Sequence, residues 1–140
     1  MKKFVFELQK VLEFRDFEKQ QAEGELAKAL AVETEINENL KKVAENYAAV
    51  KAQMKGNLNF QDVMAQSQYN NLLKYQKEEL LKQLAQAKLV TEQKREVLRE
   101  CMKKTTALEK LKEKQLADWK QAADYEEAEL LDEVKNTINT

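Results

Sequence analysis

The chain has no proline and no histidine, two glycines and one cysteine among its 140 residues. Each shortage excludes something. Without proline, nothing forces a break in a long helix. Without histidine, the commonest general base and metal ligand is missing. Cys101 alone cannot close an internal disulfide, so a reducing cytoplasm is the simplest compartment. There is no Gly-rich phosphate loop, nucleophile elbow or Cys-x-x-Cys pair. The many carboxylates fall on solvated helix surface, where nothing raises a pKa or excludes water. No enzyme, cofactor or metal site is expected. The opening "MKKFVFE" offers only Phe4-Val5-Phe6 before Glu7, far short of a signal peptide or membrane span. A net charge of −1 gives no reason to expect nucleic acid. The chain reads as soluble and intracellular.

What is present points one way. Charged residues are 35% and hydrophobic ones 43%, in the Ala-, Glu-, Lys-, Leu- and Gln-rich mixture of long helices. Disorder competes for such a polar chain, but the apolar residues are regularly spaced. From Val5, alternating steps of three and four reach Leu8, Leu12, Arg15, Lys19, Ala22, Leu26, Ala29, Glu33, Ile36, Leu40, Val43, Tyr47, Val50 and Met54. Only Arg15, Lys19 and Glu33 are not apolar. A period of 3.5 over this length is a coiled-coil seam. Gly24 lies outside it and costs about 1 kcal/mol against alanine.

The stretch "QMKGNLNFQD" is the one interruption. Gly56 suits a helix C-cap in the left-handed conformation, and Asn59 with Asp62 suits a new helix N-terminus. The reading is all-α: a single coiled-coil domain over 1–140, as a long antiparallel two-stranded hairpin with a longer C-terminal helix. Helix one spans about 3–55, the turn 56–58, and helix two about 59–136. The second seam reads Leu73, Lys77, Leu80, Leu84, Ala87, Thr91, Lys94, Leu98, Cys101, Thr105 and Leu108. There Cys101 serves as a small buried hydrophobe.

Folding about Gly56-Asn57 sets Leu40 against Leu73, Leu12 against Cys101, Val5 against Leu108, and Lys19 near Lys94. After Leu111 the register slips to a stripe of Leu116, Trp119, Ala123, Leu130 and Val134. The first helix ends its pairing near residue 110, which leaves a C-terminal overhang. An apolar stripe without an intrachain partner predicts a foreign one. Separate folding of residues 59–80, with the termini paired, is the alternative. Trp119 is either an interface anchor or the cap of the hairpin core. Charge is segregated: Lys94 to Lys120 holds nine basic and five acidic residues, and Gln121 onward holds six acidic and one lysine. That pattern fits a solvated face or a marked docking tip.

Two segments resemble the flagellar export protein FliJ family. They are "FVFELQKVLEFRDFEKQQAEGELAKA" at Phe4 to Ala29 and "LEKLKEKQLADW" with "EEAELLDE" toward the C-terminus. The resemblance covers nearly the whole length, and a stalk protein of a virulence type III secretion system is its nearest confusable neighbour. It implies a non-enzymatic stalk and adaptor at the cytoplasmic side of the cell membrane at the flagellar base, peripheral and without a transmembrane segment. Its expected partners are the export ATPase FliI, the cytoplasmic domain of the export gate protein FlhA, and export chaperones that it escorts.

The implied gate-binding set is Ile36, Leu40, Val43 and Tyr47 with Tyr69, Leu73, Gln76 and Leu80. These positions also belong to the seam, so packing is their competing role. The implied ATPase-ring docking tip is Leu108, Leu111, Leu116, Trp119 and Leu130. Two rival readings remain, a self-associating structural coiled coil and a polyanion-binding rod built on the Lys94–Lys120 zone.

Overall fold

The computed structural model describes residues 2–54, 56 and 59–139. Among these it is helical, with no strand: α1 spans Gln9–Gln53 and α2 spans Phe60–Ile138. The helices pack against each other. Asn59 caps α2, its Oδ1 accepting from the Asp62 amide at 2.8 Å, with Asp62 in the first turn at the positive end of the dipole. Gly56 has φ 156°, a value beyond the left-handed helical region and open only to glycine without strain. Asn57 and Leu58 of the expected turn lie outside the described residues. α1 begins only at Gln9. Lys2 to Phe6 precede it in non-helical backbone, although the seam periodicity runs back to Val5.

The chain divides into two compact units. The central unit is Ala22–Leu98. Its pairing is antiparallel, since Glu25 meets Lys94 at 3.9 Å and Glu33 accepts from Thr91 Oγ1 at 2.5 Å. Ala22, Ala29, Ile36, Leu73, Ala87 and Thr91 are buried, and all of them are seam positions. Three of the six are alanines, whose small side chains let helices approach closely. Thr91 is 2% exposed, and its hydroxyl also lies 3.0 Å from the Ala87 carbonyl.

The terminal unit is Met1–Gln21 with Arg99–Thr140. Here too the pairing is antiparallel. Lys112 Nζ donates to Gln9 Oε1 at 2.7 Å and lies 6.0 Å from the Phe6 ring centroid, and the Phe4 and Trp119 rings are 6.1 Å apart. Phe6 is buried, whereas Val5 is 73% exposed. The expected seam position at Val5 is therefore replaced by Phe6, because a non-helical segment does not keep a helical period.

Three expectations are corrected by these contacts. The expected match of Leu12 to Cys101 differs from the observed Gln9–Lys112 pair by about two helical turns. Lys94 reaches Glu25 and Lys19 reaches Asp16 at 3.5 Å, so each lysine has a carboxylate rather than the other. The pairing does not stop near residue 110, since the extended start of the chain carries it to Trp119. Beyond Leu111 the inward positions continue as Lys112, Leu116, Trp119 and Ala123, all half-buried. The step from Lys112 to Leu116 makes a 3-4-4 spacing, a local shift of seam phase rather than a break.

Candidate functional site

Two surfaces carry the residues singled out from the sequence. In the central unit, grooves lined by residues of both α1 and α2 lie along the seam. One of about 550 Å³ is lined by Leu40, Val43, Ala44 and Tyr47 from α1 and by Asn70, Leu73, Lys74 and Lys77 from α2. Four of the eight expected gate-binding residues thus share one groove. Gln76 and Leu80 line a neighbouring groove, with Val43 bordering both. Tyr69 belongs to a third, with Gln66 and Val50, and Ile36 to a fourth, with Ala29 and Ala87.

Burial separates the roles. Ile36 and Leu73 are 8% and 3% exposed, which suits packing. Tyr47 and Tyr69 are 51% and 39% exposed, each presenting a ring with a polar tip to solvent. Leu40, Val43 and Leu80 are half-buried, and Gln76 is exposed.

Sequence reasoning overlooked Gln66 and Asn70. Spaced four apart, they are seam-facing polar residues, and Gln66 Oε1 and Asn70 Oδ1 are buried with no protein partner. A buried acceptor left unpaired costs about 1–3 kcal/mol. The signal was available, because extending the second seam backward from Leu73 by three and four lands on both.

In the terminal unit the expected tip residues part company. Leu108, Leu116 and Trp119 are half-buried within the chain. Leu111 is 36% exposed and Leu130 57%. From Asp124 to Asn139 every residue is exposed. Leu130, Leu131, Val134 and Ile138 are 55–76% exposed there. The overhang is real but starts after Ala123, later than expected, because Phe4 and Phe6 cover the turns before it. Trp119, its ring tilted at 57° to that of Phe4, caps the paired region. The signal missed was the aromatic pair Phe4 and Phe6 ahead of the helix.

Among the described residues no group of His, Cys, Asp or Glu could hold a metal ion, and no helix is long and apolar enough to cross a membrane. The surfaces suit helix-on-protein recognition, apolar stripes edged by charge. A family model described as Flagellar FliJ protein matches residues 4–137. No curated protein and no solved structure matches the chain.

Proposed function

The chain belongs to the flagellar FliJ family, a component of the flagellar export apparatus, and from that premise we propose that it is a stalk and adaptor for the export ATPase. In this reading the end of α2 enters the ring of FliI and promotes its assembly. The observation that carries it is the apolar stripe past Ala123, on which none of the described residues rests. Leu130 and Val134 are more than half exposed, and stripes of this kind mark interaction sites. A helix inside a ring meets its subunits unequally and biases their states by the difference in contact free energy.

The grooved face of the central unit supplies the second contact, with the cytoplasmic domain of the gate protein FlhA. Tyr47 and Tyr69 serve as anchors there, beside the apolar groove at Leu40 and Val43. Escort of export chaperones completes the adaptor role, and the working place is the cytoplasmic side of the membrane at the flagellar base.

Co-sedimentation with purified FliI tests the main reading. The full chain should recover the ATPase, and Leu130→Ser with Val134→Ser should lower that recovery at least about tenfold, the loss of two buried anchors, with helicity unchanged by circular dichroism. A folded full chain that recovers no ATPase overturns the reading.

A further inference from the structure

The bare turns of α2 continue a line that the start of the chain already covers. Thr105 is buried in the terminal unit. At 3.6 residues per turn, Lys112, Leu116, Trp119, Leu130 and Val134 all fall within about 40° of it around the helix. α1 begins at Gln9, which meets Lys112, so the turns past Lys112 lie against the non-helical segment ahead of α1. The Phe4 ring is 6.1 Å from that of Trp119, and Leu116, about one turn before, is half-buried. Leu130 and Val134, 57% and 55% exposed, have no such cover.

That cover is weakly tied. Phe6 is buried, but Phe4 is only half-buried and Val5 is exposed. Among the described residues, no hydrogen bond or ion pair joins Lys2, Lys3, Phe4 or Val5 to the rest of the chain. The first backbone group held is the Phe6 carbonyl, which accepts from the Gln9 amide at 3.1 Å. Two aromatic rings thus anchor a segment that has no hydrogen-bonded ladder. Such segments open locally while the rest of a fold stays intact.

We propose that this segment is a strap that releases α2, and that its release completes the docking stripe. Closed, the strap engages Leu116 and Trp119 and leaves a partner only the turns after Ala123. Open, the apolar line begins at Leu116, which lengthens it by about 12 Å at ~1.5 Å per residue. Tryptophan is among the residue types that most often anchor an interface, yet Trp119 is engaged within the closed chain. A partner gains it only by displacing Phe4, so the contact is autoinhibitory. The apparent affinity of the chain is lowered by the fraction of molecules in which the strap is off. The strap's role rests on the docking of α2 into the ATPase, whereas its movement is read with no ATPase present.

Trp119 is the only tryptophan, so 5-fluorotryptophan incorporated into the full chain reports on this position alone. Fluorine relaxation dispersion of the isolated chain should show exchange with a minor state of roughly 0.1–10%. Its chemical shift should match that of Phe4→Ser with Phe6→Ser, in which the strap has lost both anchors. That double variant should bind purified FliI at least about tenfold more tightly than wild type. Loss of two rings that merely stabilised the fold would not tighten binding. Trp119→Ser added to the double variant should abolish the gain. Circular dichroism checks that the helices are intact, and Phe4→Ser alone, at a half-buried position, should shift affinity the same way if the double variant loses helicity. An isolated chain without exchange toward the variant's shift, strap variants that bind no more tightly than wild type, or a gain that survives Trp119→Ser would each overturn the strap while leaving the docking reading standing. If neither wild type nor strap variant recovers the ATPase, the docking reading falls and the strap's role falls with it.

Discussion

At Thr91 one hydroxyl hydrogen has two acceptors within reach, the Glu33 carboxylate at 2.5 Å and the Ala87 carbonyl at 3.0 Å. Glu33 is half-buried at a seam position between Ala29 and Ile36 in the heptad pattern, and the Thr91 hydroxyl is a donor that satisfies its carboxylate. Thr91→Val keeps the shape and removes the donor. It should destabilise the chain by about 1–3 kcal/mol in urea unfolding. Thr91→Val combined with Glu33→Leu should recover most of that loss, since replacing both partners leaves nothing polar stranded. If the double variant is as unstable as the sum of the singles, the two residues are uncoupled and the contact has no energetic meaning.

Within each helix, seam and outer face differ sharply between neighbours in sequence. Leu73 is 3% exposed and Leu72 50%. Leu73→Ala should therefore cost about 2–4 kcal/mol and Leu72→Ala less than about 1 kcal/mol, both measurable by denaturant midpoint at constant slope. This contrast was legible in the sequence, because a 3.5-residue period names the inward positions whatever the partner is. Ala22, Ala29, Ile36, Leu73 and Ala87 were all read correctly on that basis. Register was not legible. Sliding one helix by a whole heptad leaves apolar facing apolar, so periodicity alone is blind to it. Only particular polar pairs, such as Glu25 with Lys94, remove the degeneracy, and no spacing rule announces them. The chain start was missed for the opposite reason. Val5 and Leu8 continue the pattern, yet helix does not begin until Gln9, and Phe6 packs from non-helical backbone. The candidate sites divided likewise. Tyr47 and Tyr69 were found as exposed rings. Asn70 and Gln66 were within reach of the same periodicity, at three and seven residues before Leu73, but spacing alone does not tell that their oxygens are buried without a protein partner.

Across the whole chain a net charge of −1 hides a strong internal division, and the acidic share falls where intrachain packing ends. A helical segment of about fifteen residues is marginal in water on propensity alone. Hydrogen exchange at dilutions that keep the chain monomeric should show amides after Asp124 exchanging orders of magnitude faster than those near Ala87 and Thr91. Added FliI should slow them. Equal protection at both places in the free chain would mean that the end of α2 needs no neighbour to stay folded. If it does need one, its order is conditional, and the fluorescence of Tyr125, 67% exposed in those turns, becomes a built-in gauge of whether the seat beside it is taken.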